Sequence, residues 1–236
     1  MKVALVALLL IGCQDPKDFP PLGGGGGGGG IGGNGSTDSP TADAVIDAVV
    51  QTGRVCLVRD LRQLTLCDDN AAGIVVEIGG VQATTIDDGT FSIDIPTGTG
   101  LTWLVSDPDL VTTVQQLSTS FVIPAIRITD FGNLLADNGI ILTAGQATVV
   151  TQVRDDDGPF VGATAATTPA AQFPTRYDSN SAISWDLDAT GSFSVAWLPG
   201  VSGASATLTV TPPIGSSLST LVPLRADSIT FATVSF

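Results

Sequence analysis

The chain has 236 residues, 23 of them acidic and nine basic, for a formal charge of −14 at pH 7, and it has no histidine. So large an excess of carboxylates repels phosphate backbones and excludes a nucleic-acid partner, while the missing histidine removes Ser-His-Asp and Cys-His catalysis and the usual zinc sites. With 43% apolar residues the chain can still bury a core.

At the N-terminus, Lys2 precedes the apolar run Val3 to Ile11, which is too short to span a bilayer, and Gly12 closes it. A charged start, a short apolar middle and a small-residue cleavage site make a secretory signal. Ending in Leu10-Ile11-Gly12-Cys13, the segment resembles the lipobox of bacterial lipoproteins. That resemblance implies removal of residues 1–12 as a signal peptide and acylation of Cys13 with palmitate-like chains as a membrane anchor. Each buried CH₂ of such a chain adds about 0.8 kcal/mol, and stable anchoring takes more than one chain. An ordinary secretion signal with a coincidental cysteine is the alternative. Gln14 stands where aspartate is absent, and this resembles lipoproteins sorted to the outer membrane. The periplasmic or surface face is left open.

Residues 13–44 are rich in Pro, Gly, Ser and Asp and include the unbroken run Gly23 to Gly30. Such a composition cannot bury enough apolar surface to offset its ordering entropy, so a disordered tether is expected. Its typical reach is about 30 Å, from ~5–6 Å × √n. A phosphate-binding loop would need a Lys-Ser/Thr ending and a flanking strand and helix, which this run lacks. Residues 41–51 fit helix or strand alike. Cys56 and Cys67 flank a hairpin-sized stretch, and in an exported chain they read as a structural disulfide. A redox pair is more often spaced C-x-x-C.

Thereafter the chain reads as strand after strand. Gly53 to Val58, Gly73 to Ile78, Val81 to Ile86 and Phe91 to Ile95 are short, β-branched and punctuated by Gly or Asp. Phe91, Ile93 and Ile95 alternate with Ser92 and Asp94, the period of a half-buried strand. Leu101 to Val105, Val111 to Leu117 and Phe121 to Ile128 continue the series. Asp130 to Asp137 predict a short helix, capped by Thr129 or Asp130 and ended by Asn138-Gly139. Ala206 to Val210 and Ile229 to Phe236 are the last strands.

An internal repeat sets the expected architecture. Gly89-Thr90-Phe91-Ser92 recurs as Gly191-Ser192-Phe193-Ser194, 102 positions later, and upstream of it Ala72 to Val76 stands in the first copy where the strand-turn-strand stretch Val153 to Ala163 stands in the second. The turn Asp155 to Ala163, followed by Gly-Ser-Phe-Ser, resembles the carboxypeptidase-regulatory-like domain, most clearly over 146–236. In the first half only Gly73 to Pro96 fits, and the cysteine hairpin departs from the pattern. The resemblance implies prealbumin-like or Ig-like β-sandwiches that act as accessory modules without a peptidase site. The expected fold is therefore all-β, with two tandem sandwiches: 45–145, carrying the short helix, and 146–236.

Chemistry has few places to reside. Asp155, Asp156 and Asp157 offer oxygen ligands suited to Ca²⁺, although Asp and Gly also suit a tight turn for backbone reasons. Paired aspartates such as Asp107 with Asp109, or Asp186 with Asp188, could serve glycoside hydrolysis only inside a cleft. Trp103 and Trp197 share faces with apolar neighbours and read as core. Trp185, near Tyr177, is the best exposed candidate for stacking on a sugar ring. The expected function is a non-catalytic, lipid-anchored envelope protein, structural, adhesive or accessory, whose partners beyond the membrane are envelope proteins or glycans. A carbohydrate- or Ca²⁺-dependent binding module or adhesin is the alternative. No resident cofactor is implied.

Overall fold

In the computed structural model, the structure describes residues 49–68, 70–118, 121–179 and 184–236. Residues 1–48, with Cys13 and the Gly run, lie outside them. The first half contains β1 (Val49–Val58), β2 (Val75–Ile78), β3 (Val81–Thr84), β4 (Thr90–Ile95), β5 (Thr102–Ser106), β6 (Thr112–Gln116), β7 (Val122–Ile126) and α1 (Ile128–Asp137). The second contains β8 (Ala147–Asp155), β9 (Gly158–Pro159), β10 (Thr164–Thr168), β11 (Arg176–Tyr177), β12 (Val195–Val201), β13 (Ser205–Thr211), β14 (Leu218–Pro223) and β15 (Ser228–Ser235). The fold is all-β, as its alternating short segments predict. The ambiguous residues 49–51 are strand. Among the described residues no helix is long and apolar enough to cross a membrane.

The strands form three sheets. A nine-stranded sheet runs β11-β12-β8-β15-β6-β5-β2-β3, with β9 paired to β8, and two smaller sheets run β4-β1-β7 and β10-β13-β14. Paired residues share a face, so the register shows what each face covers. One row crosses the large sheet as Trp197, Val150, Phe231, Gln115, Trp103 and Ile78. Ile78 and Trp103 pack with Val55, Phe91 and Ile123 of the β4-β1-β7 sheet. The opposite face carries Val149 and Leu198, which pack with Ala165, Leu208 and Val222 of the β10-β13-β14 sheet. The small sheets therefore cover opposite faces of the large one, at opposite ends.

A third core closes the remaining part of the first face. Val150, Trp197 and Phe231 are covered there by Leu61 and Leu64 of the cysteine loop and by Phe131 of α1. The helix presents Phe131, Leu134 and Leu135 inward, a spacing that puts three apolar side chains on one side. Neither Thr129 nor Asp130 caps it: the N-cap position is Arg127, whose side chain makes no capping hydrogen bond. Its C-terminus ends as predicted, since the Asn138 side chain donates to Leu134 O at 2.9 Å and Gly139 takes φ 65°. The described residues make one compact unit.

The same pairing pattern occurs twice within it. Strand β1 pairs antiparallel with β4 and parallel with β7, just as β8 pairs antiparallel with β12 and parallel with β15. A buried threonine marks the same place in each half. Thr85 Oγ1 accepts from Ile74 N and donates to Ala71 O, while its backbone exchanges bonds with Gly73 and Ile74. Thr190 Oγ1 accepts from Ala163 N and donates to Phe160 O, and its backbone exchanges bonds with Gly162 and Ala163. These bonds make Gly73-Ile74 equivalent to Gly162-Ala163, within the stretches expected to correspond.

The Gly-x-Phe-Ser alignment, in contrast, is out of step. Gly89 O accepts from Val55 N and Ser194 O accepts from Val153 N, each at 2.8 Å, and both residues have positive φ, 82° and 58°. Gly89 is thus equivalent to Ser194, not to Gly191. Phe91 enters the core, whereas Phe193 sits half-buried on a turn before β12 begins. The side chains explain the slip: in the second half a carboxylate from elsewhere holds this turn, described next.

Candidate functional site

The disulfide Cys56–Cys67 is formed, with Cα atoms 4.8 Å apart. Closing this loop sets Leu61 and Leu64 against the large sheet. It also brings Arg62 inward: its Nε donates to Asp60 Oδ1 at 2.9 Å, its Nη1 donates to Ser184 O at 3.2 Å, and its guanidinium carbon lies 5.9 Å from the Trp185 ring centre. Arg62 is only 7% exposed. A cation held over an aromatic face and paired to a carboxylate makes this loop a clasp across the two halves.

Trp185 is consequently not exposed. It is 7% accessible and packs at 5.4 Å against Trp197, because the cysteine loop, distant in sequence, covers it. Tyr177 is equally enclosed, and its hydroxyl accepts from Ala165 N at 2.9 Å and donates to Ala165 O at 3.2 Å. These two side chains are not brought together on a surface. Asp155 Oδ1 accepts from Asp157 N and Gly158 N, both at 2.9 Å, so that carboxylate is occupied by the hairpin turn, with Asp156 and Asp157 exposed beside it. Among the described residues no group of three potential ligands is gathered for a metal. Asp107 Oδ1 likewise accepts from Asp109 N in a turn, and Asp186 and Asp188 are exposed.

Among the described residues the one fully buried carboxylate is Asp178, which residue spacing does not single out. Its Oδ1 accepts from Gly191 N at 2.9 Å and Val195 N at 2.8 Å, and its Oδ2 accepts from Phe193 N at 2.7 Å. Three backbone donors converging on one carboxylate satisfy its charge without a cation. This clamp shapes the 191–195 turn and supports Ser194 at its positive φ.

Concavities open at three places among the described residues. The first, of about 420 Å³, lies where β6 ends and β15 continues. The β6–β15 ladder runs from Ser228–Thr112 to Phe231–Gln115 and stops, while β15 stays paired to β8 as far as Ser235. The resulting notch is lined by Gln115, Gln116, Gln152, Arg154, Thr233 and Ser235, with Val122 and Pro124 of β7 across from them. At its inner end Gln115 Oε1 is buried with no hydrogen-bond partner. The second is a charged cleft at Arg59, Asp68, Asn70, Arg127 and Asp130. There Arg59 Nε donates to Asp68 Oδ2 at 2.7 Å, and this bond raises the Arg59 pKa. The third is an apolar hollow beside Leu135, Ile140 and Ile141 at the end of α1.

No protein-family model matches the chain, and no curated protein does. Among solved structures it is similar to one described as the Bacillus anthracis TIE protein, at 12% identity and a TM-score of 0.25. The likeness covers 79% of this chain and 34% of that one.

Proposed function

We propose that the protein is a non-catalytic lipoprotein of the bacterial cell envelope, anchored through acylated Cys13 and working as a structural, adhesive or accessory binding module. The single observation that carries this reading is Leu10-Ile11-Gly12-Cys13 closing a short apolar run behind Lys2. The Cys56–Cys67 disulfide agrees with an exported, oxidising setting. Residues 13–44 would hold the β-sheet body away from an outer membrane whose headgroups its negative charge disfavours. Accessory modules resembling carboxypeptidase-regulatory-like domains fit an all-β body whose aspartates at 107 and 155 are taken up by turns.

Metabolic labelling with palmitate, followed by fractionation, tests the anchor. Label should enter the wild-type chain and be lost from Cys13→Ala, which should move to the soluble fraction. An unmodified N-terminus by mass spectrometry, or a Cys13→Ala protein still sedimenting with membranes, refutes the reading. Protease shaving of intact cells then reports whether the body faces outward. A glycan- or Ca²⁺-dependent module would need groups other than Trp185 and Tyr177, since both are buried.

A further inference from the structure

Backbone direction gives the notch beside β15 a specific chemistry. In a strand, successive residues send their N–H and C=O groups to opposite edges. Phe236 N donates to Arg154 O of β8, so even-numbered residues here face β8 and odd-numbered ones face the β6 side. Thr233 and Ser235 therefore direct their backbone donors and acceptors into the notch, past the last rung at Phe231. Both residues are exposed, and among the described residues neither is paired to a neighbouring strand on that side.

The opposite wall is closed to pairing. Val111 N donates to Ile126 O, which places Val122, Pro124 and Ile126 of β7 on its outer edge. Pro124 has no N–H to offer there, the usual way an edge strand is blunted. No such device protects Thr233 and Ser235. The protein also shows that this edge accepts a parallel strand, since β6 occupies its first four residues.

We propose that the notch binds an extended polypeptide segment of another molecule as an added strand on β15, with a carboxylate of that segment on Arg154. The open stretch Ala232–Ser235 runs about 13 Å at ~3.3 Å per residue, enough for about four residues of the guest. Arg154 is the only charged side chain among the described lining residues. It is exposed and joins no ion pair among the described residues. In a chain of charge −14 an unpaired arginine beside open strand donors selects an anionic guest, and a second copy of this acidic chain is disfavoured. Gln115 Oε1, enclosed and without a partner, supplies an acceptor for a guest N–H at the inner end. The inference deepens the accessory-binding role proposed above. It does not depend on acylation of Cys13, so the two readings fail separately.

The test uses the full chain and a fluorescein-labelled peptide, Thr-Val-Thr-Val-Asp with a free C-terminus, against its amidated Asn counterpart. Fluorescence anisotropy should saturate for the acidic peptide. Arg154→Gln should weaken it about fivefold or more and leave the Asn peptide unchanged, and Thr233→Pro should weaken both at least about tenfold. Hydrogen-exchange mass spectrometry on the wild type should show peptide-dependent protection confined to residues 115–118 and 231–236, a readout that stands even if Thr233→Pro does not fold. No saturation up to about 1 mM, protection elsewhere, or saturation by maltotetraose in place of the peptide overturns the proposal.

Discussion

Replacing Asp178 by Asn tests whether the buried carboxylate holds the second half together. The side chain is fully enclosed, so water cannot readily stand in for it. Asn keeps Oδ1 for Gly191 N and Val195 N but turns an NH₂ toward Phe193 N, which now donates at 2.7 Å to Oδ2. One charge-assisted bond is lost, worth about 1.5–3 kcal/mol, and one donor is left facing another at about 1–3 kcal/mol. Relief of the carboxylate's desolvation offsets part of this, leaving about 2–4 kcal/mol. For a body of this size that lowers Tm by roughly 4–16 °C, at about 2–4 °C per kcal/mol. Urea titration followed by tryptophan fluorescence measures it, since Trp103, Trp185 and Trp197 are all buried. A midpoint shift equivalent to less than about 0.5 kcal/mol, within the ordinary range of a surface change, would refute the clamp.

Ser194→Gly should stabilise the protein. Relief of the left-handed conformation gains about 1–2 kcal/mol, less ~0.5–1 kcal/mol for the freer glycine, so a melting temperature below wild type sinks the equivalence with Gly89. Cys56→Ala combined with Cys67→Ala should cost about 3 kcal/mol for a loop of this length, read from urea midpoints with and without a reductant. An unchanged midpoint contradicts the clasp. The Asp88 carboxyl is held below its ordinary pKa, chiefly by the Thr90 hydroxyl and then by the Thr90 backbone N–H. Because the folded value is depressed, its stabilisation is present above the unfolded value of ~3.9 and lost as pH falls through the folded one. In Thr90→Val the Asp88 carboxyl, followed by NMR, should titrate at higher pH than in the wild type.

Local signals carried the elements well and their partners poorly. Phe91, Ile93 and the Asn138-Gly139 stop were legible because alternation and helix ends are properties of neighbours. The junction of Thr112–Gln115 with Ser228–Phe231 joins residues 116 positions apart, and no feature near either segment announces the other. Trp185 departs from its expected exposure for the same reason: what hides it is Arg62 and the loop closed by Cys56, far upstream. The repeat is visible in the letters but three residues out of step, since Gly-x-Phe-Ser matches Gly89 to Gly191 and the hydrogen bonds match Gly89 to Ser194. Asp178 had no local mark at all, because its three donors lie 13 to 17 residues further on.

The position of β1 has a mechanical consequence. It is the middle strand of its sheet, antiparallel to β4 and parallel to β7, and the Cys56–Cys67 bond fastens its far end. Tension entering at Val49 along the strand axis would have to slide six residue pairs on one side and five on the other simultaneously, rather than peel them one by one. A body pulled from that end would resist as a bolt does in shear.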